Sequence, residues 1–365
     1  MKIERRVTRR TDPRFDRAKG CIVGALCGDA AGAVLEFYKG KITKALCRKA
    51  IRMPGGGTFN VGPGQVTDDG ELTMSLLHAL VNGEGQFKET EVAKYYGKWY
   101  RSNPFDCGIT IGNALSVANP KRPNPDDIKD EAERRSQGSQ SNGSLMRATP
   151  LAVFCHNMKA ASAEGFDAEE WNQHKACVFE AADLDASFTH PSPAVHYVEG
   201  LYIYMMTLII NGVKLADVYN TIIAEIYQCD KEEYKDLILE WVEKSDEEEL
   251  GSLEHQMGWM KHAFVCCLRY LRLAKEQQKV AKKVEEEVSE KFKGESKEED
   301  SQLSKEEADI KAKKKAKKRA KRKVEREARK EVKRETEREF KRKATKETKK
   351  KSKDLLVSHS TKMQW

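Results

Sequence analysis

The sequence contains no CxxC pair, no run of about 18 consecutive apolar residues and no convincing period-two alternation. Each absence excludes something. Without paired cysteines a structural zinc site is not expected. Without a long apolar run nothing is expected to span a membrane, and the richest run, GLYIYMMTLIINGV at 200–213, fits a buried helix better. Without alternation no sheet is expected. The N-terminus, MKIERRVTRRTDPRFDR, is charged and lacks an apolar stretch, so no secretory signal is expected. The nine cysteines at 21, 27, 47, 107, 155, 177, 229, 266 and 267 are odd in number and scattered, which fits reduced thiols in a cytoplasmic or nuclear protein rather than a disulfide framework.

What is present falls into two compositions. Within 311–353 there are 24 Lys/Arg against 7 Asp/Glu, a net of +17; the whole chain carries +8, so the remainder carries −9. An acidic body therefore precedes a basic tail. The sequence divides into a flexible N-terminus (1–14), an all-α, compact multi-helix domain (15–275) and a Lys/Glu-rich low-complexity tail (276–365). The tail has too few apolar residues to offset its ordering entropy, so disorder or a solitary charged helix is expected. Two uses fit it: a solvated or localisation segment, or a salt-sensitive tether to nucleic acid or an acidic partner. No aromatics interleave with its basic residues, which argues against base stacking.

Helical spacing predicts elements at about 15–37, 68–81, 88–102, 110–118, 145–156, 168–186, 192–211, 215–228 and 232–244. A further helix is expected from near Leu253, with Trp259, Phe264 and Leu268 on one face. The first helix is rich in Gly and Ala, which predicts a central position where backbones pack closely. The Gly/Pro-rich segment 54–64 and the proline-containing segment 119–140 read as loops.

Five short segments carry polar groups suited to chemistry. Thr67-Asp68-Asp69 sits at a helix start, where it fits either a helix cap or three oxygen ligands for a hard cation such as Mg²⁺ or Mn²⁺. Asp29 and Glu36 flank small residues and fit either a cavity wall or solvated positions. Ser141-Asn142-Gly143-Ser144-Leu145-Met146-Arg147 enters a helix, as an ordinary cap or as a phosphate seat. His190 follows Thr189 and fits a phosphate donor or a structural histidine, and Asp106 lies in a loop between helices.

In their order and spacing these segments resemble the ADP-ribosylglycohydrolase family, which includes the dinitrogenase-reductase-activating glycohydrolase and the ADP-ribosyl-arginine and ADP-ribosyl-serine hydrolases. Gly24 to Glu36 looks like the family's opening signature and Thr67-Asp68-Asp69 like its first metal motif. Phe105-Asp106-Cys107-Gly108 is similar to its Phe-Asp-Ile-Gly element, 141–147 to its phosphate loop, Thr189-His190 to its Leu-Thr-His motif and Gly258-Trp259 to the start of its penultimate helix. The collinear match covers about 15–275.

The resemblance implies an all-α fold, an ADP-ribosylated protein or free ADP-ribose as partner, and metal-assisted hydrolysis of the bond between ADP-ribose and a side chain. It implies Mg²⁺ or Mn²⁺ held by Thr67, Asp68 and Asp69, with Glu36 and Asp69 as catalytic carboxylates. It also implies substrate contacts from Asp106, Asn142, Gly143, Ser144, Leu145, Met146 and His190. The pattern breaks in two places: Gly70 stands where many relatives have Thr, and no Asp-x-Asp-Thr motif follows Gly258. With that second motif missing, half of the two-metal shell is not supplied, so one ion or none is an alternative to two. The corresponding alternative function is a catalytically degenerate protein that binds ADP-ribose or a partner, tethered by its tail.

Overall fold

The computed structural model describes residues 12–158, 168–246 and 258–276. The basic tail, nearly all of segment 1–14 and the helix start near Leu253 lie outside them. The chain divides into two units, Met1–Leu271 and Arg272–Trp365, and the helical body with its cavity belongs to the first.

The described residues form helices joined by turns, with two isolated β-bridges and no strand among them. Helix α1 is Pro13–Gly32, α2 Lys44–Ala50, α3 Asp68–Asn82, α4 Glu89–Arg101, α5 Ile109–Leu115 and α6 Pro125–Ser136. A 3₁₀ turn at Leu145–Arg147 leads into α7, Thr149–Met158. Then come α8 at Ala168–Ala186, α9 at Pro193–Ile210, α10 at Leu215–Tyr227 and α11 at Glu232–Asp246. A last helix, α12, covers 260–276.

The core forms where apolar spacing dictates. Along α3, Leu72, Leu76, Ala79 and Leu80 fall on one buried face and pack toward α4, which answers with Val92, Ala93 and Tyr96. Truncating a fully buried leucine such as Leu72 to Ala costs about 2–5 kcal/mol. Helix α9 is the central element and packs on α1, α7, α8 and α10. It is the one described helix long and apolar enough to cross a membrane, with a mean hydropathy of 1.2, yet 67% of that window is buried inside the fold. All nine cysteines are free thiols.

Four expectations are corrected. The first helix ends at Gly32, and only Ala18 and Ala30 in it are fully buried. Its glycines at 20, 24, 28 and 32 would meet nothing within 4 Å if given a Cβ, so they do not mediate close packing here. The segment 119–140 is not all loop: Asn124 caps α6 and Pro125 occupies the first turn, where a proline's missing N–H costs nothing. The helix expected from Leu145 begins at Thr149, after the 3₁₀ turn. Trp259 precedes its helix instead of lying on it, and pairs by backbone with Ser141.

Candidate functional site

A cavity of about 1240 Å³ opens between the C-terminal end of α1, the N-terminus of α3, the 105–111 segment, the 138–146 turn and Gly258-Trp259. Five carboxylates line it: Asp29, Glu36, Asp68, Asp69 and Asp106. Among the described residues no lysine, arginine or histidine shares that lining.

Helix α1 delivers the organising residue. Asp29 accepts from the Thr67 amide at 2.9 Å, the Thr67 hydroxyl at 2.9 Å and the Gly70 amide at 2.8 Å. These amides are orphan donors of the first turn of α3. Thr67 occupies the cap position but makes no capping bond of its own, so α3 is capped in trans by Asp29. This geometry accounts for Gly70: a Cβ there would sit 2.6 Å from Asp29 Oδ2. The Thr67 hydroxyl donates its proton to Asp29, which leaves its lone pairs for another ligand.

Glu36 hangs from the turn after α1. Thr58 donates to the Glu36 carbonyl at 2.9 Å, and Gly57, at φ +75°, lies so close that a Cβ would meet the Ala33 carbonyl at 2.6 Å. The glycine-rich loop is thus a buttress for Glu36. Phe37, Phe59 and Phe105 pack edge-to-face beside it, with centroids 5.7 and 5.8 Å apart.

The electrostatics follow from burial and crowding. Asp69 is pushed up to about 8, by burial first and then by Asp68, Asp29, Glu36 and Asp106. Glu36 rises to about 7 through burial and its neighbours Asp106, Asp68 and Asp29. Asp68 rises to about 6 through burial and Asp106, against the Gly108 amide, which donates to it at 3.2 Å. Asp106 is raised chiefly by burial. Cys107 is also pushed up, to about 11, so its thiol stays protonated. Each carboxylate here raises the others, and a bound cation would relieve that mutual repulsion. The donor set, carboxylates plus a threonine hydroxyl, is the hard-oxygen chemistry that suits Mg²⁺ or Mn²⁺. Among the described residues, however, no three His, Cys, Asp or Glu side chains converge into a ready cage.

The 138–146 turn contributes to the same lining. Among the described residues no acceptor meets the amides of Gly143, Ser144 and Leu145, while the Asn142 amide donates to the Gly258 carbonyl at 2.8 Å. Free N–H groups in a tight turn can seat an anion where the turn meets the cavity, which here is at Asn142, Gly143 and Met146. Gly143 is required for its shape, because a Cβ would sit 2.9 Å from Ile111 and 3.0 Å from His190. The strand-like pairing of Ser141 with Trp259 fixes the Trp259 backbone, and Trp259 Nε1 donates to Gln140 at 3.0 Å.

Glu36, Thr67, Asp68, Asp69, Asp106, Asn142, Gly143 and Met146 all line the cavity. Ser144, Leu145 and His190 do not: they are buried behind the turn. His190 Nε2 lies 2.7 Å from the hydroxyl of Ser141, which lines the cavity. Burial, then Arg147 and His196, hold His190 well below its usual range and keep it neutral. Two features escaped sequence reasoning. Asp29 gave no sign of being a cap, because its partners lie about forty positions away. The buried ion pair Arg147–Asp185, with Nε 3.0 Å from Oδ2, anchors the far end of the turn.

The family profile for ADP-ribosylglycohydrolase matches residues 10–289. The chain is 30% identical over 220 residues to a protein of Acanthamoeba polyphaga mimivirus named after the same glycohydrolase activity, covering 59% of this chain and 62% of that one. It is 31% identical over 193 residues to the ADP-ribosyl-[dinitrogen reductase] glycohydrolase of Rhodospirillum rubrum, covering 51% and 58%. The chain thus spans less than two thirds of these relatives' own length. A solved structure titled "ADP-ribosylglycohydrolase-related protein complex" superposes with a TM-score of 0.45 at 20% identity, over 70% of this chain and 75% of that one.

Proposed function

The chain belongs to the ADP-ribosylglycohydrolase family, and on that premise we propose that it hydrolyses the glycosidic bond joining ADP-ribose to a protein side chain. The observation that carries this reading is the cavity's lining, which joins five carboxylates to Asn142, Gly143 and Met146 of a turn with unpartnered amides among the described residues. ADP-ribose has the matching polarity, with a ribose able to meet carboxylates and a pyrophosphate able to meet amides.

The pyrophosphate would rest against the turn at Gly143, with Asn142 and Met146 beside it. The distal ribose would then reach the acids, with Asp106 on its flank. Trp259, at the cavity's other margin, would face the adenosine. Thr67, Asp68 and Asp69 would hold Mg²⁺ or Mn²⁺, which when bound supplies charge stabilisation and orients hydroxyls and water. The bond between the anomeric carbon and the acceptor nitrogen or oxygen breaks through an oxocarbenium-like state. Water oxygen takes that carbon, and its proton passes to the departing side chain. Glu36 is suited to carry the proton, since it is held near neutrality, at about 7.

A second reading is binding without turnover. It is favoured by the lack of a three-carboxylate cage among the described residues and of an Asp-x-Asp-Thr motif after Gly258. Turnover of an ADP-ribosylated peptide with Mg²⁺ or Mn²⁺ separates the two. Hydrolysis by the wild type that is lost in Asp68→Ala supports the enzyme. Equal, slow release by both, with ADP-ribose still bound in calorimetry, supports binding alone. The basic segment 311–353 would add a tether to nucleic acid or an acidic partner, which deletion of 276–365 should abolish.

A further inference from the structure

Behind the 141–147 turn the fold buries a second carboxylate that no salt bridge uses. The Arg147–Asp185 pair is complete in itself. Arg147 also donates through Nη2 to the Asp185 carbonyl at 2.9 Å, and Tyr96 donates to Asp185 Oδ1 at 2.6 Å. The guanidinium lies 4.6 Å from the Tyr96 ring centroid. Glu199 enters this region from the middle of α9, with an exposure of 0%, and neither of its carboxyl oxygens has a hydrogen-bond partner. Two further buried polar atoms lack partners, the Ser144 hydroxyl and Arg147 Nη1. They belong to the groups nearest Glu199 electrostatically: Asp185, Arg147 and the Ser144 hydroxyl. The Ser144 hydroxyl interacts with the Glu199 carboxyl, without a well-formed hydrogen bond between them.

A buried, unpaired polar group costs about 1–3 kcal/mol, and three in one place are rarely kept for packing alone. Leucine or methionine at 199 would fill the space without that cost. Burial, then Asp185, hold the Glu199 carboxyl well above its usual range, so it is a neutral acid. A neutral carboxyl carries one O–H donor and one carbonyl acceptor. It can therefore accept from Arg147 Nη1 and donate to Ser144, with a small movement of the turn closing both bonds. Both partners lie in the turn whose amides are free.

We propose that Glu199 is a positioning residue that acts through Ser144 and Arg147 to hold the 141–147 turn, and with it Asn142, Gly143 and Met146, at the cavity wall. The inference rests on reading that turn as a phosphate seat, so its test has one readout with ligand and one without. Glu199→Gln, Glu199→Met and Ser144→Ala are compared with wild type by ADP-ribose calorimetry, by amide hydrogen exchange of 141–147 in the free protein and by thermal midpoint. In Glu199→Met, ADP-ribose binding weakens about tenfold and the turn amides exchange faster, while the midpoint holds. Glu199→Gln keeps a donor and an acceptor and stays within about threefold of wild type. Ser144→Ala, a small change that leaves the core intact, loosens the same amides. Unchanged affinity and unchanged exchange in Glu199→Met and Ser144→Ala overturn the proposal. A lower midpoint with unchanged affinity and exchange assigns Glu199 to stability alone and also overturns it. If wild type does not bind ADP-ribose, the phosphate reading fails and exchange alone decides: faster exchange in the variants upholds the positioning role, and unchanged exchange overturns it.

Discussion

Removing the Asp29 carboxylate should loosen the start of α3 more than any change at Thr67. Asp29 receives three donors, the Thr67 amide, the Thr67 hydroxyl and the Gly70 amide. In Asp29→Ala two amides and a hydroxyl lose their acceptor. Asp29 lines the cavity, so water reaches the donors and the loss is about 1 kcal/mol for each, or about 3 kcal/mol in all. For a body of this size that corresponds to a fall of about 6–12 °C in thermal midpoint. One term opposes it. Asp29 raises Asp69, Glu36 and Asp68 by repulsion, and its removal relieves them. That relief vanishes at pH 5, where the neighbours are largely protonated, so the variant should lose more stability at pH 5 than at pH 8. Thr67→Val removes only the hydroxyl bond and should cost about 1 kcal/mol. Asp29→Asn keeps one acceptor oxygen and should fall between the two. Calorimetric unfolding of the four proteins at both pH values decides the matter. If Asp29→Ala lies within about 0.5 kcal/mol of wild type, or if Thr67→Val costs as much, then α3 is not capped in trans and the geometry has been misread.

The other expectations are shorter. Glu36, Asp68 and Asp69 are held at about 7, 6 and 8, above the roughly 4 of an unfolded chain; the folded state then binds more protons in that window, so stability falls as pH rises from about 4 to 8. Cation-free protein should therefore melt lower at pH 8 than at pH 5.5, Mg²⁺ or Mn²⁺ should narrow the gap, and Asp69→Asn should flatten it; a midpoint indifferent to both pH and cation removes the acidic cluster from the argument. Gly24→Ala should stabilise by about 0.5–1 kcal/mol in denaturant titrations, because its Cβ meets open space within a helix; destabilisation would mean that this face is covered in solution. Gly70→Ala should do the opposite and cost about 1–3 kcal/mol, since its Cβ would collide with Asp29 and Val66. Gly143→Ala should abolish ADP-ribose binding in calorimetry while leaving Mn²⁺ binding intact, as the turn shifts away from Ile111 and His190; loss of both would show the turn and the acids to be one unit.

What could be read from the sequence was local, and what could not was tertiary. The spacing of Leu72, Leu76 and Leu80 placed α3 within a residue of its ends, because that periodicity is the physical cause of the helix's burial. Pro125 misled for the converse reason: a proline in a polar segment suggests a loop, and only the cap at Asn124 and the buried Ile128 and Ala132 give α6 away. Thr67-Asp68-Asp69 carried two readings, cap and ligand set, that one helix end could not separate. The fold separates them by moving the cap to another helix, which frees Asp68 and Asp69 to face the cavity. Glu199 did leave a local signal, a lone carboxylate in the most apolar helix of the chain. A charge there must be paired, neutralised or used. The unpartnered Ser144 hydroxyl and Arg147 Nη1 beside it argue that pairing was not the solution reached.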